Sequence, residues 1–245
     1  MIPESTVMPV GIGIYITLMW LFVFVITVLM LSLCYVFLSM RRAMEREAQS
    51  LEFSHLIIEG LEKERRRVSR ELHDTVLPLV RDREVSNLIR SICREFQPPD
   101  FSRISFKDSL VDLSVQFTQK TGIECVYFIE NELDFTRVSS ENQLHLYRMV
   151  QEALTNIEKH SGSRRASLAV RRSVRASPGT PAGNILICVS DEGTGLRSKP
   201  GAPVDESLGM KNMRQRAAIL GAKLDFISES GNGLMVRIEI PPIGL

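Results

Sequence analysis

The sequence predicts a membrane-anchored α + α/β chain, with one N-terminal transmembrane helix, a helical coiled-coil and dimerisation hairpin, and a C-terminal α/β domain. Three observations predict it. From Met8 to Met40 no residue is charged, whereas Arg41 to Asp74 is about half charged. Apolar residues recur at heptad spacing through that charged stretch. Beyond Lys107 the apolar pattern switches between the helical period and the strand period.

The apolar run far exceeds the ~18 residues that suffice to span a bilayer. As a straight helix it would be about 50 Å long against a hydrocarbon core of about 30 Å, so one tilted or overhanging span is expected. A cleaved signal peptide is disfavoured, because the start carries Glu4 and no base and the apolar core is too long. Arg41 and Arg42 follow the run directly. The positive-inside rule therefore places the C-terminal part in the cytoplasm, in a single-pass protein of the inner or plasma membrane. The expected divisions are residues 1–8 outside, 9–40 in the bilayer, 41–67 as stalk, 68–98 as a shortened hairpin and 104–242 as the α/β domain. So short an outer segment leaves no room for an extracellular ligand-binding domain.

Net charge is +1, which gives no reason to expect direct nucleic-acid binding. Cys34, Cys93, Cys125 and Cys188 are scattered without CxxC spacing, so reduced thiols are expected rather than a metal or disulfide framework.

In the stalk, Met44, Leu51, Ile58 and Leu72 form one seam and Leu61, Val68 and Thr75 a second, with Arg65 as a polar break. Charges of both signs fill most other positions, the pattern of a parallel coiled coil and hence of a homodimer. A single amphipathic helix on the membrane surface is the competing reading. Within this helix ERRRVSRELHD sets His73 beside Asp74.

Pro98 and Pro99 mark a turn. Helices are then expected over Lys107–Lys120, Glu141–Lys159 and Met210–Leu220. Strands are expected over Ile123–Ile129, Ala166–Arg172, Ile185–Ser190, Lys223–Ser228 and Leu234–Ile240. Along QEALTNIEKHS, Glu152, Asn156 and His160 make a polar stripe at intervals of four, opposite Tyr147, Val150, Leu154 and Ile157. An interior helical Asn disfavours the helix slightly and so is expected to have a partner. Its carbonyl oxygen suits Mg²⁺, a hard cation. ILICVSDEGTGL ends a buried strand at Asp191, followed by Gly193 and Gly195, where backbone can approach a flat ring closely. SLGMKNMRQRA opens a helix at Gly209 and Met210, whose backbone N–H groups can meet phosphates. Each signal alone is more often structural than functional; their order is what carries information.

Together these segments resemble the sensor histidine kinases of the NarX/DesK type, with their GHKL-type ATPase domain, a Bergerat-fold α/β sandwich. ERRRVSRELHD resembles the phosphoacceptor box, QEALTNIEKHS the N box and DEGTG the first glycine box. LGMKNMRQRA with SESGNGLMVRIEIP resembles the later glycine-box region. The resemblance spans about Glu64 to Pro242. It implies that His73 accepts the phosphoryl group from ATP and that Asp74 orients or deprotonates it. It also implies that Asn156 holds Mg²⁺, that Glu152 and Lys159 line the phosphates, and that Asp191 reads the adenine amine. Gly193, Gly195, Gly209 and Met210 would shape the pocket and lid. The implied partner is a response regulator, of the NarL/LuxR type with a DNA-binding helix-turn-helix.

Two departures carry expectations. Pro78 stands where this family commonly has a Gln that positions water, so phosphatase activity is expected to be weak or absent. Gln97 lies only 24 positions after His73, so the hairpin is shorter than usual, with its return helix over about Glu84–Phe96. Ser207 and Leu234 stand where glycine and threonine are more usual. The alternative function is an ATP-binding pseudokinase or signalling scaffold with a degenerate hairpin. A chaperone or mismatch-repair ATPase is disfavoured, since those lack a membrane-proximal His–Asp pair. His55, His145 and His160 are read as structural or solvated.

Overall fold

The computed structural model describes residues 8–136, 138–173, 183–195, 207–228 and 233–241; the side chains of 8–12, 43, 46–48, 50 and 51 are outside this description. The expected N-terminal tail through residue 7, the loop after Arg172, most of the segment before Gly209, Leu51 of the first seam, and Pro242 therefore lie beyond it, in whole or in part. The chain divides into two compact units, Met1–Glu52 and Phe53–Leu245.

Helix α1 runs Met8–Glu71. In the first unit, Gly13–Arg42 is long and apolar enough to cross a membrane, with a mean hydropathy of 2.8 and none of it buried. Thr17, Thr27 and Ser39 each return their hydroxyl to a carbonyl three or four residues back, as a helix in an apolar medium requires of a polar side chain.

In the second unit α1 ends at a physical obstacle. Pro78 has no N–H to give the Asp74 carbonyl, and its ring crowds that turn. The helix widens into a π turn over Leu72–Val76, closed by Leu77 N–H to the Leu72 carbonyl, then tightens into a 3₁₀ turn over Leu77–Leu79. Val80 is extended, and Asp82 caps α2 (Arg83–Phe96) by accepting from the N–H groups of Glu84 and Val85. α1 and α2 are thus the two arms of a short helical turn. Ser69 and Cys93 tie its two arms through reciprocal bonds to each other's carbonyls at 3.0 and 3.5 Å.

The α/β layer contains α3 (Phe106–Thr121), β1 (Glu124–Ile129), α4 (Ser140–Asn156), β2 (Arg165–Arg172), β3 (Ile185–Asp191), α5 (Leu208–Ile219), β4 (Lys223–Ser228) and β5 (Leu234–Ile240). Each bound lies within a few residues of its sequence expectation. The Glu141–Lys159 helix is the one that changes character, becoming a π turn over Ile157–Ser161 and ending at left-handed Gly162. Ser105, Ser139 and Ser207 cap the three helices. The sheet order is β1-β2-β3-β5-β4, with β1–β2 parallel and all other pairs antiparallel. One sheet face, carrying Leu168, Val170, Ile187, Val189, Val236 and Ile238, packs into a common core with Leu110, Leu146, Met149 and Val150 from the helices.

Helix α4 is buried all round from His145 to Val150. A surface helix would keep one polar face wet. Here the face turned away from the sheet is covered by the stalk segment of α1, and Ile58 of the expected first seam is buried within this same chain at 1 % exposure. Along that seam Met44 stays exposed and Leu72 half-buried.

Candidate functional site

A cavity of about 430 Å³ opens where the end of α4, the end of β3 and the start of α5 meet; Asn156, Lys159, Asp191, Gly195 and Met210 line it, joined by His160, Ser161, Thr194 and Leu234. The size lies within the range of small-molecule sites. Asp191 is 7 % exposed, yet both carboxylate oxygens are held: Oδ1 accepts from Gly193 N–H at 2.7 Å and Oδ2 from Leu234 N–H at 3.3 Å. Each oxygen keeps a second lone pair, so a ligand N–H can still be received. Asn156 is half-buried, and its amide has no hydrogen-bond partner among the described residues. An unpartnered amide beside a cavity is the donor set that a hydrated hard cation or a phosphate would use.

The glycines act by letting backbones meet. A Cβ on Gly193 would overlap the Ser161 carbonyl, the same oxygen that accepts from Thr194 N–H at 3.0 Å. This stitches the loop after β3 to the π turn that ends α4. Gly195 has φ +70. A Cβ on Gly209 would overlap the carboxylate of Glu152. Glu152 therefore packs against the first turn of α5 and does not line the cavity with Asn156, one turn further on. Gly193 and Gly209 likewise border the site without lining it. Met210 is buried, and its N–H is already donated to the Ser207 hydroxyl, so its side chain shapes the wall.

Residues 141–243 match the family model of histidine kinase-, DNA gyrase B- and HSP90-like ATPases. Over those residues the α/β layer is similar to that ATPase family. The chain is 25 % identical over 211 residues to the sensor histidine kinase LiaS of Bacillus subtilis, covering 74 % of this chain and 55 % of that protein. It is 25 % identical over 209 residues to the sensor protein VraS of Staphylococcus saprophyticus, covering 74 % and 56 %. The chain thus spans about half the length of the curated relatives it matches. Among solved structures, the histidine kinase domain of an Erythrobacter litoralis blue-light activated histidine kinase aligns with a TM-score of 0.47 and 21 % identity, over 71 % of this chain and 95 % of that one.

His73 and Asp74 are not among the residues lining this cavity. They occupy the π turn, where His73 is 65 % exposed and its Nδ1 sits 3.0 Å from Asp74 Oδ1. That contact places the ring proton on Nδ1 and leaves the lone pair on Nε2.

Three residues that fasten the α/β layer to α1 escaped the sequence reading. Glu62 of α1 is 3 % exposed and accepts from Arg148 of α4 at 3.0–3.1 Å and from Arg216 of α5 at 2.6 Å. Arg148 also donates to the carbonyls of Glu95 and Phe96 in α2 and to Gln151. Burial alone would raise the Glu62 carboxyl, but the two guanidiniums outweigh it and hold it below its ordinary value. Burial pulls both arginines down, while Glu62 works to raise them. The available signal was Arg148 set among Leu146, Tyr147, Met149 and Val150, since a charge in so apolar a stretch needs a buried partner. Gly233 was also missed as an individual residue: with φ +78, its missing Cβ lets it lie against the Asp191 carbonyl.

Proposed function

We propose that this chain is a membrane-anchored sensor histidine kinase that moves the γ-phosphoryl group of ATP to His73 and passes it to a response regulator. The observation that carries the reading is the pairing of two features in one chain. One is a cavity presenting Asn156, Lys159 and Asp191 on a histidine kinase-like ATPase domain; the other is an exposed imidazole whose Nδ1 is engaged by a carboxylate. Bound Mg²⁺–ATP supplies the phosphoryl group and the charge that neutralises it. Asp191 would receive the adenine amine, Asn156 would ligate Mg²⁺ and Lys159 would sit by the phosphates. His73 Nε2 forms the new N–P bond as the bond between the γ-phosphorus and the bridging oxygen breaks. Asp74 stabilises the positive ring that results or takes its Nδ1 proton. Phosphoryl transfer asks mainly for such positioning and charge neutralisation.

The names of the matched relatives support the sensor and kinase reading, and the apolar Gly13–Arg42 helix supports a single-pass anchor in the cell membrane with the ATPase domain in the cytoplasm. A homodimer, and a NarL/LuxR-type regulator, belong to the same proposal. So do the domain limits expected from the sequence and the assignment of the stalk to a coiled coil. With Pro78 in place of a water-positioning Gln, phosphatase activity on the regulator is weak or absent.

Incubating the full chain in detergent micelles or nanodiscs with γ-labelled ATP tests the proposal. Acid-labile, alkali-stable label on the wild type, lost in His73→Gln and in Asn156→Ala, is the expected result. The broken helix around His73, with its π and 3₁₀ turns, favours one second reading, an ATP-binding scaffold. ATP binding with no label on His73 would establish that reading instead.

A further inference from the structure

A second cavity, of about 490 Å³, lies between the stalk segment of α1 and the start of α4, apart from the nucleotide site. His55, Glu141 and His145 all line it, and one ligand atom from each lies within 4.8 Å of the other two. His55 Nε2 is 3.3 Å from Glu141 Oε1. Two ligands at the usual zinc distances of about 2.0–2.1 Å, subtending a tetrahedral angle, lie about 3.4 Å apart. That edge of a tetrahedron is therefore already formed.

The third ligand explains an anomaly. His145 is 4 % exposed, and its Nε2 has no hydrogen-bond partner. Its Nδ1 is 3.1 Å from Arg216 Nη1. A guanidinium can only donate, so Nδ1 accepts and the ring proton sits on Nε2 with nothing to receive it. Buried polar atoms normally have a partner, and an orphan beside a cavity asks for one. Burial first, and Arg216 second, hold His145 down to about 4, so the ring is neutral at pH 7, as a metal ligand must be. Glu59 and Asp100 line the same cavity against Arg66, which favours a cation within it.

We propose that His55, Glu141 and His145 form a divalent transition-metal site, of the zinc class, that joins the stalk to the first turns of α4. Two imidazoles and one carboxylate suit a borderline-soft ion and leave a fourth position for water. When Nε2 of His145 takes the metal, the ring proton moves to Nδ1. Arg216 Nη1 then releases the ring, while its Nη2 keeps Glu62. The site thus bridges two segments far apart in sequence, and its occupancy is felt by α5 through Arg216.

The test is zinc binding by the full chain in detergent micelles, without nucleotide, measured by competition with a chromogenic chelator. Co²⁺ spectra serve as the companion readout. One equivalent per chain is expected, with cobalt bands of a nitrogen and oxygen ligand set and no thiolate charge-transfer band from the cysteines. His55→Ala and Glu141→Gln change side chains that are 41 % and 61 % exposed, so folding does not rest on them. Each is expected to weaken zinc binding about tenfold or more. Binding in the double variant as tight as in the parent, binding that shows thiolate bands, or no binding by the parent overturns the proposal. Because no ATP is present, failure here leaves the kinase reading untouched.

Discussion

Glu62 and Arg216 lie 154 positions apart in the chain, yet the Glu62 carboxylate accepts a hydrogen bond from the Arg216 guanidinium at 2.6 Å in a buried setting. Arg148 fills the rest of the carboxylate's capacity. One acid between two bases clamps the stalk to both α4, which carries Asn156, and α5, which borders the cavity that Asp191 lines. Helix packing alone would let the stalk slide; a multiply bonded carboxylate accepts one register.

Glu62→Gln leaves two buried guanidiniums sharing a neutral amide. Breaking one side of a buried ion pair costs about 3–5 kcal/mol. The expected outcome is a clear fall in the unfolding midpoint of the full chain, and faster hydrogen exchange in both the stalk and α5. A midpoint within error of the parent would mean that the clamp does not hold in solution. In a double-mutant cycle, Glu62→Gln and Arg216→Gln should show coupling of about 1–3 kcal/mol.

The same carboxylate sets an acid limit. Its folded pKa lies below its ordinary value of 4.5. The stability it contributes is complete above pH 4.5 and is lost as pH falls through the folded value. Wild type should therefore lose stability over that window, while Glu62→Gln, already lacking the charge, should be flatter there. Equal slopes for the two proteins would assign the acid lability to other carboxylates.

Asp74→Asn removes the proposed base but leaves His73 exposed. General-base assistance contributes about 10²–10⁴-fold. A fall of that order in the rate of His73 labelling, with binding of a fluorescent ATP analogue unchanged, is expected. Loss of both together would point to a folding defect rather than to proton chemistry.

Gly233→Ala should act on the proposed nucleotide cavity from outside it. Gly233 has φ +78, and a Cβ there would overlap the Asp191 carbonyl, so the residue that the proposed adenine contact depends on must shift. Gly221→Ala is the control: its φ is +61, with nothing within 4 Å of the added carbon. Each change costs about 1–2 kcal/mol for the left-handed backbone. Only Gly233→Ala should also weaken ATP-analogue affinity, by about tenfold or more. Equal affinities in the two variants would show that Asp191 tolerates the move.

Much of the architecture was legible because it is local. Hydropathy marked the uncharged run from Met8 to Met40, within which most of the membrane-length helix lies, and the switch to the strand period marked the strands of the sheet. Pro78 was read only as a missing Gln, although its missing N–H and ring clash act within one turn and end α1. The cavity residues Asn156, Lys159, Asp191, Gly195 and Met210 were legible because short motifs at the ends of elements converge once the sheet forms. The tertiary structure alone decided which polar residues become buried partners. The heptad seam offers Ile58 to a second helix, but the fold covers it within the same chain. Glu62, Arg148, Arg216 and the His55–Glu141–His145 cluster could not be paired by reading along the chain, because their energies depend on desolvation and on sub-ångström approach between segments far apart in sequence. Spacing controls which face a side chain occupies; only packing determines what that face meets.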